Sequence, residues 1–391
     1  MLKRSSACIS LWLILAAAAF AAQAPLPYPE VGPGIEYIQD RIGDQPWAIH
    51  AVKIGRSRAD LRLVSTLATG TIYGLAPLSE QIASLPPALG KPVAAVNADF
   101  FIIKIDPYQG DPCGLQICQG EFVSSPEGRA AFWVDPAGQP RIGTVQSKCE
   151  VTWPDGSRTP FSINQQRNDD AAVVYTPTLG HTTRAQGGKE LILEPAGGGG
   201  AWLPVRPGQT CLARIRSVND AGNSMLAPDT IVLSLGPKLL LGLPPVPKDA
   251  SLKLSFATEP DLTGVTTAVG GSTILLAGGK QPDWAKDQPR QPRTAIGWNT
   301  THLVLVVVDG RQAELSAGMT LPELADQMAR LGCTEALNLD GGGSSTLWLG
   351  GRIMNWPSEG RERAVANGLI VVRSEKQDNL DGGTKDDKAG K

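Results

Sequence analysis

The chain has 391 residues, 42% of them hydrophobic and 19% charged, and its 36 basic and 38 acidic residues give a formal net charge of -2. These values are typical of a globular chain with one large or two small domains. They exclude a strongly basic nucleic-acid-binding surface, because no long basic run with interleaved aromatic residues occurs. The 44 glycines and 31 prolines indicate many turns and a β-rich chain.

The N-terminus has the pattern of an export signal. A positively charged start precedes an apolar run over residues 9–22, and Ala19-Phe20-Ala21 fits the small-residue cleavage pattern. We predict a signal peptide over residues 1–21, followed by an extended Pro-rich leader over residues 22–46. The alternative is an uncleaved anchor, although the apolar run is short for a bilayer span. No later segment has the composition of a transmembrane helix.

Strands and one short helix are predicted in the first half of the chain. Apolar and polar residues alternate over residues 47–64, which predicts strands. Residues 78–85 predict a helix that begins after Pro77 and ends at Pro86-Pro87. The apolar run over residues 92–96 predicts a buried strand that leads into Asn97-Ala98-Asp99.

The cysteines and histidines do not form a metal-binding motif. Five cysteines remain after residue 21, and an exported protein permits disulfides, with Cys113–Cys118 and Cys149–Cys211 as possible pairs, although sequence cannot fix the pairing. Because five is odd, at least one thiol is free or bonds another chain. Cys333 is predicted to be a small buried residue. The three histidines are far apart in sequence, and no zinc spacing occurs.

A helix with a complete start signal is predicted after residue 319. Thr320 is the expected N-cap, Pro322 lies in the first turn, and Glu323 completes a capping box. Apolar residues then fall on one face, and Gly332 supplies the C-terminal stop.

Two strands flank this helix, and each ends at an aspartate. Residues 303–308 form an aliphatic run that ends at Asp309-Gly310, and residues 335–339 form a second run that ends at Asp340. We therefore predict a strand-helix-strand crossover over residues 302–340 in an α+β fold, with a mixed β-sheet core and flanking helices. Parallel strands would bring both aspartates to the sheet edge where open sheets bind ligands.

The residues after Asp340 are suited to an anion or a sugar. Gly341, Gly342 and Gly343 let a backbone approach a ligand closely, and Ser344 and Ser345 add hydroxyl groups. Two carboxylates at one edge can share acid, base or nucleophile work on a glycosidic bond. An ordinary flexible turn is the alternative interpretation.

Several motifs in one order resemble the phosphodiester glycosidase family, over roughly residues 47–373. They are Asn97-Ala98-Asp99-Phe100-Phe101, Pro292-Arg293-Thr294-Ala295-Ile296-Gly297, Asp309-Gly310-Arg311, Asn338 to Ser345, Asn355-Trp356-Pro357-Ser358 and Glu362-Arg363-Ala364-Val365-Ala366-Asn367. The chain departs from the family at Ala98-Asp99, where two glycines are usual. The resemblance implies one family domain over residues 47–373, and residues 374–391, which hold five acids and four lysines, are predicted to be a disordered tail.

The resemblance and the residue chemistry together suggest roles for individual side chains. Asp340 is the expected nucleophile or base, Asp309 its partner or orienting residue, and Glu362 a candidate acid. Arg293 suits a phosphate clamp, because guanidinium makes bidentate contacts to oxyanions. The predicted substrate-binding set is Asn97, Asp99, Arg293, Thr294, Gly341, Gly342, Gly343, Ser344, Ser345, Arg363 and Asn367. Within it, Asn97 either orders the site or contacts substrate, and Arg363 and Asn367 are expected to support the glycine turn.

The sequence therefore predicts an exported hydrolase, periplasmic or secreted, that cleaves a sugar from a glycosyl phosphodiester in an envelope or extracellular glycoconjugate. The alternatives are a phosphodiesterase that breaks the P–O bond and a noncatalytic glycan-binding envelope protein. No cofactor is required for this chemistry, although Asp99, Asp309 and Asp340 offer oxygen ligands for an optional calcium or magnesium ion. The expected partner is a glycan or glycosyl phosphate, with no nucleic acid, and the oligomeric state stays open.

Overall fold

The computed structural model describes residues 28–42, 46–105, 107–197, 202–243, 249–285 and 288–374. The predicted signal peptide and almost all of the predicted tail lie outside these residues. Within them, no helix has the length and apolar character needed to cross a membrane.

Twenty-six strands and two α-helices make up the described part of the chain. The helices are α1 (Leu78–Ala83) and α2 (Leu321–Arg330). The strands of the first half are β1 (Ile35–Ile42), β2 (Trp47–Gly55), β3 (Leu61–Ser65), β4 (Lys91–Asn97), β5 (Gln116–Cys118), β6 (Glu121–Ser124), β7 (Ala130–Val134), β8 (Pro140–Thr144), β9 (Gln146–Ser147), β10 (Glu150–Thr152), β11 (Arg158–Pro160), β12 (Ser162–Ile163) and β13 (Ala172–Tyr175). The strands of the second half are β14 (Lys189–Pro195), β15 (Thr210–Asn219), β16 (Ile231–Leu235), β17 (Ser251–Ser255), β18 (Thr258–Glu259), β19 (Thr267–Gly270), β20 (Ile274–Leu276), β21 (Arg293–Trp298), β22 (His302–Val308), β23 (Glu335–Asn338), β24 (Leu347–Leu349), β25 (Arg352–Ile353) and β26 (Gly368–Arg373).

These strands form five sheets. A six-stranded sheet has the order β1-β2-β22-β21-β23-β20, and a five-stranded sheet has the order β25-β24-β4-β26-β3. A second five-stranded sheet is β6-β5-β19-β7-β8, an eight-stranded sheet is β11-β10-β17-β15-β14-β16-β13-β12, and β18 pairs with β9. Strand β1 lies within the segment predicted as a leader, and it pairs along its whole length with β2.

The six-stranded sheet is buried on both faces, which explains its continuous aliphatic strands. On one face, Leu305, Val307 and Leu337 pack with Val96 of β4 and other residues of the neighbouring sheet. On the other face, Val304, Val306 and Val308 pack with α2. A strand covered on both sides has no polar face and therefore shows no alternation in sequence.

The predicted α+β class with flanking helices is wrong. The chain is 42% strand and 9% helix, so it has a β-rich fold. The six-stranded sheet that contains β22 and β23 is not mixed, because each of its pairings is antiparallel. A parallel pair occurs instead in the eight-stranded sheet, between β12 and β13. The aliphatic run of β22 resembles a parallel strand because the sheet is buried on both faces, not because its neighbours run parallel.

The crossover over residues 302–340 nevertheless exists in a different form. Strands β22 and β23 are each antiparallel to β21, which lies between them, so they run in the same direction without touching. Helix α2 connects them, and its capping box at Thr320 and Glu323 is confirmed. Asp309 and Asp340 therefore follow strands that end at the same edge of the sheet.

The two disulfides that the sequence allowed are not formed. Cys113, Cys118, Cys149, Cys211 and Cys333 are all free thiols in the described part of the chain. Cys333 is 5% exposed, which confirms that it is a small buried residue. Cys118 donates instead to the carbonyl of Ser65 at 3.2 Å.

Candidate functional site

Asp340 lies where the two sheets that share a core meet. It follows β23 by two residues, and its backbone N–H donates to the carbonyl of Ala98 at 2.8 Å. Its carbonyl accepts a hydrogen bond from Asn97 Nδ2 at 2.7 Å. Both contacts come from the end of β4 in the neighbouring sheet. They hold the main chain of Asp340 in place independently of its side chain.

Asn97 and Thr294 hold this junction together. Asn97 Oδ1 accepts from Thr294 Oγ1 at 2.8 Å and from the backbone N–H of Thr346 at 3.1 Å. Both side chains are buried and engaged with each other. Of the two roles predicted for Asn97, these contacts support the ordering of the site.

The environment of Asp340 favours its neutral form more than water does. Burial raises the pKa of Asp340 to about 6. The Ser344 side chain, the Arg363 guanidinium and the backbone N–H of Gly341 act in the opposite direction and lower it, but their effect is smaller than that of burial. A carboxyl group that titrates near neutral pH can act as a base or nucleophile above that pH and as an acid below it.

The glycine turn after Asp340 is a tight structure rather than an open set of donors. Gly342 has φ +63°, a conformation that favours glycine. The N–H groups of Gly342, Ser344 and Ser345 donate to the carbonyls of Pro292, Gly341 and Gly342. The turn therefore offers fewer backbone donors to an anion than the sequence suggests.

Guanidinium groups supply positive charge at this turn. A Cβ on Gly343 would lie 2.1 Å from Arg363 Nη2, and a Cβ on Gly342 would lie 3.0 Å from Arg311 Nη2. Each arginine therefore lies directly against the glycine backbone. The hydrogen bond from Arg363 lowers the pKa of Glu359, and Arg311 adds to this effect.

Arg311 was not assigned a role from sequence, although it belongs to the Asp309-Gly310-Arg311 motif. Its φ is +60°, which is unusual for a residue with a side chain. Its Nε donates to Gln291 Oε1 at 2.8 Å. A strained backbone held in place by its surroundings is common at functional sites. Arg361, which also lowers the pKa of Glu359, is a further arginine that sequence reasoning missed.

Arg293 has a different environment from the one predicted for a phosphate clamp. Its Nε donates to the carbonyl of Met319 at 2.8 Å and its Nη2 to the carbonyl of Pro289 at 3.0 Å. Burial lowers its pKa. These contacts tie the start of β21 to the segments around it, and they support a structural role for the guanidinium.

Asp309 is buried and fully engaged. Its Oδ2 lies 3.1 Å from His50 Nε2, and its Oδ1 accepts from Asn355 Nδ2 at 3.1 Å and from the backbone N–H of Trp356 at 2.9 Å. His50 Nδ1 lies 2.6 Å from the hydroxyl of Tyr37. These contacts support the predicted orienting role, with the segment that begins at Asn355 as the part that is oriented. His50 gave no sequence signal, because its partners are distant in the chain.

Glu362 contacts the start of α1. Its Oε2 accepts from the backbone N–H of Ser79 at 3.0 Å, and α1 has no side-chain cap of its own. A carboxylate at a helix N-terminus is favourable, so this contact stabilises the helix and the segment that carries Glu362. Asn367 is buried, and its side-chain oxygen accepts from the backbone N–H of Asp99 at 2.8 Å.

Two further side chains bear on the site. Trp356 is 65% exposed although its backbone is fixed by Asp309. Ser345 Oγ is buried and has no hydrogen-bond partner in the described part of the chain. The described residues contain no group of three histidine, cysteine or acidic side chains placed to hold a metal ion. The optional divalent cation therefore stays a prediction from sequence.

Comparison with known proteins finds similarity over part of the chain. Residues 231–372 match the family model "Phosphodiester glycosidase", which covers Asp309, the glycine turn and Arg363 but not β4. The chain is 40% identical over 68 residues to N-acetylglucosamine-1-phosphodiester alpha-N-acetylglucosaminidase of Bos taurus, a segment that is 17% of this chain and 12% of that protein.

Two other similarities extend the comparison. The chain is 39% identical over 89 residues to the SPbeta prophage-derived uncharacterized protein YomE of Bacillus subtilis, which is 22% of this chain and 14% of that protein. A solved structure of a hypothetical protein from Synechocystis shares the fold with a TM-score of 0.70 and 21% identity, over 87% of this chain and 62% of the other. The chain thus spans a small part of the curated relatives that it matches. The similarity to the phosphodiester glycosidase family is carried by residues 231–372, which lie within the second half of the chain apart from its last residues.

Proposed function

We propose that the protein is a hydrolase that cleaves the glycosidic C–O bond of a glycosyl phosphodiester. The observation that carries this proposal is the position of Asp340 beside a glycine turn covered by Arg363 and Arg311. The arginines suit the phosphate, because guanidinium binds phosphate oxygens through paired hydrogen bonds. The carboxylate suits the anomeric carbon, where positive charge develops as the bond breaks.

The chemistry needs little acid assistance. The group that leaves is a phosphate monoester, which is a stable anion, so the bond can break without a strong proton donor on the leaving oxygen. Asp340 in its ionised form either attacks the anomeric carbon or removes a proton from the attacking water. Arg363 and Arg311 hold the departing phosphate, and the engaged carboxylate of Glu362 is not required.

Trp356 is proposed to contact the sugar. An exposed indole whose main chain is held rigidly offers a flat apolar surface to the C–H face of a pyranose ring. Substitution of Trp356 by alanine should raise KM for the sugar substrate more than it lowers kcat.

The nature of the substrate follows from the family and the bovine relative. The name of that relative specifies N-acetylglucosamine on a phosphodiester, and we propose a related glycosyl phosphodiester for this chain. Export is proposed from the signal-like N-terminus, which would place the substrate in an envelope or extracellular glycoconjugate. Cell fractionation, with mass spectrometry of the mature N-terminus, tests the export and the cleavage after residue 21.

The decisive experiment is hydrolysis of UDP-N-acetylglucosamine in oxygen-18 water by the wild type and by Asp340→Asn. Heavy oxygen in the free sugar, lost in the variant, supports C–O cleavage that depends on Asp340. Heavy oxygen in the phosphate product assigns the protein as a phosphodiesterase instead. If neither this compound nor a panel of glycosyl phosphodiesters is turned over, a glycan-binding role replaces the proposal.

A further inference from the structure

A cleft lies at the opposite edge of the six-stranded sheet from Asp309. It opens beside the loop that joins β21 to β22, and β22 runs from His302 at this end to Val308 at the other. A strand of this length separates its two ends by roughly 20 Å. The volume of the cleft is about 510 Å³, which is within the range of small-molecule sites. It is therefore a cavity separate from the candidate site at Asp340.

The walls of this cleft are apolar. They include Leu61 and Leu63 of β3 and Val134 of β7, which are half-buried, and Leu303 and Val371, which are buried. All five side chains belong to, or pack against, the core that the six-stranded sheet shares with the sheet of β4. The cleft is thus an opening toward this core, where three apolar side chains keep part of their surface in water. A ligand with an apolar part would be stabilised by covering that surface.

Arg56 connects two walls of the cleft. Its Nη1 donates to the carbonyl of Asn299, in the loop between β21 and β22, and its Nη2 donates to Oε1 of Gln139, in the turn between β7 and β8. A guanidinium group has five N–H donors, so these two contacts leave donors for a ligand. No acidic side chain pairs with Arg56 in the described part of the chain. The guanidinium group is therefore held in place with its positive charge uncompensated.

A second guanidinium group, that of Arg58, also lines the cleft. Its Nε and Nη2 donate to the two carboxylate oxygens of Asp60 at 2.8 and 3.0 Å, and Arg373 donates to the same carboxylate. Among the lining residues that the structure describes, none is acidic. Around the cleft, the three guanidinium groups of Arg56, Arg58 and Arg373 thus accompany one carboxylate, which leaves an excess of two positive charges.

Arg62 borders the same cleft but differs from Arg56 in its direction. Alternation along β3 places Arg62 on the opposite face of the strand from Leu61 and Leu63. Its Nη2 donates to the carbonyl of Leu89 at 3.0 Å. The guanidinium group of Arg62 is therefore directed away from the apolar walls, which makes Arg62 a matched control for Arg56.

We propose that this cleft binds a small amphipathic anion, which is an alkyl or acyl chain with a phosphate or carboxylate head. The guanidinium groups of Arg56 and Arg58 hold the head, because they are the cations that line the apolar walls. The chain covers the exposed surface of the walls. An inorganic anion would leave the walls in water, and a neutral lipid would leave the positive charge without a partner, so neither matches both features. This site is independent of the proposed hydrolase activity.

The first test is isothermal titration calorimetry of the whole chain with monomeric butyl, hexyl and octyl phosphate. Each methylene group that the walls cover should raise the affinity by up to about fourfold, so octyl phosphate should bind at least about tenfold more tightly than butyl phosphate. Inorganic phosphate, which has no chain, and octyl glucoside, which has no charge, should each bind about tenfold more weakly than octyl phosphate, or weaker still. Equal affinity across the alkyl series, or equal affinity for octyl glucoside, would overturn the proposal.

The second test locates the binding. Arg56→Gln should weaken the binding of octyl phosphate by about tenfold or more, because a charged pair of donors is lost. Arg62→Gln and Arg363→Lys should leave it unchanged. Weaker binding to Arg363→Lys with normal binding to Arg56→Gln would assign octyl phosphate to the glycine turn and would overturn the proposal. A wild type that turns over no glycosyl phosphodiester but binds octyl phosphate through Arg56 would defeat the proposed function alone.

A third measurement needs no variant, in case Arg56→Gln does not fold. Amide hydrogen exchange of the wild type should slow over residues 56–63 and 134–140 when octyl phosphate is added. Slower exchange at other places only, or no change, would overturn the proposal. Vesicles of phosphatidylglycerol complete the comparison. If the chain binds the vesicles but not monomeric octyl phosphate, a membrane surface replaces the free amphiphile and the proposal is again overturned.

Discussion

His50 Nε2 lies 3.1 Å from Asp309 Oδ2, and the other oxygen of the same carboxylate holds Asn355 and the backbone of Trp356. The imidazole is in turn bound to Tyr37 of β1. A continuous line of contacts therefore runs from the edge strand of the six-stranded sheet to the segment that carries Arg361 and Arg363. Asp309 is the central connection in this line.

Asp309→Ala should lower the free energy of unfolding by about 3 kcal/mol, because it leaves buried donors without an acceptor. Asp309→Asn should cost less, since one oxygen remains. Urea titration measures both, with the exposed Asp326→Ala as the control. Activity should fall together with stability as the segment loses its anchor. Normal stability with lost activity would show that Asp309 acts directly in catalysis.

Asp340→Asn should have the opposite effect on stability. The folded pKa of about 6 lies above the unfolded value, so the stability contributed by the neutral form is present at acid pH and is lost as pH rises through about 6. The amide removes this loss and should raise the free energy of unfolding at pH 8 by about 1–3 kcal/mol. Turnover should fall by about 100-fold or more. A variant that is both inactive and less stable would contradict this account of Asp340.

The acid side of the pH profile should report Asp340. If the ionised carboxylate is the working form, kcat/KM should fall about tenfold per pH unit below about pH 6. The measurement is initial rate against pH on one glycosyl phosphodiester, with stability checked at each pH. A rise in rate below pH 6 would assign Asp340 as the acid.

Substitution of Arg363 should affect substrate binding, whereas substitution of Arg293 should affect the stability of the fold. Arg363→Lys removes paired donors at the glycine turn and should raise KM about tenfold or more with a small change in Tm. Arg293→Lys loses its contacts to the carbonyls of Met319 and Pro289, so it should lower Tm and leave KM nearly unchanged. The reverse pattern would return the phosphate to Arg293, as the sequence suggested.

Gly343→Ala should displace Arg363 without unfolding the chain. The added Cβ would lie 2.1 Å from Arg363 Nη2 and 2.4 Å from Glu359 Oε1, and both atoms are ends of flexible side chains. The expected result is weaker substrate binding at nearly unchanged Tm. Gly242→Ala, where the added Cβ meets nothing within 4 Å, is the control. Equal effects of the two changes would show that the arginine contact does not matter.

The local elements of the fold were predictable, but the arrangement of the sheet was not. The helix start at Thr320 follows from short-range chemistry, and the structure confirms it. The position of β21 depends on the hairpin that it forms with β22 through residues 299–301. Residues 292–297 are visible in the sequence as a motif and not as a strand, so the insertion of β21 between β22 and β23 was not predicted. Which strands pair with each other depends on tertiary contacts, and the residues of a single strand do not determine it.

The candidate site shows the same division. Asp340 and the glycines were visible because their residue types and spacing carry chemistry. Arg311 and His50 were missed as participants because their contacts, with Gln291 and Asp309, lie 20 and 259 positions away in the chain. Arg293 was predicted to bind phosphate because sequence shows its residue type and not the direction of its guanidinium. In the structure the guanidinium donates to the carbonyls of Met319 and Pro289.

The contact between Glu362 and Ser79 links helix α1 to the site, so that a change at the site should alter the start of the helix. Glu362 binds the helix start at 3.0 Å, and its neighbour Arg363 lies against Gly343. A ligand that draws Arg363 toward its phosphate pulls on the residue beside it and thus on the first turn of α1. Amide hydrogen exchange at this turn would therefore change when a ligand binds near Asp340, and a fluorophore on the exposed side of α1 would signal binding without touching the ligand.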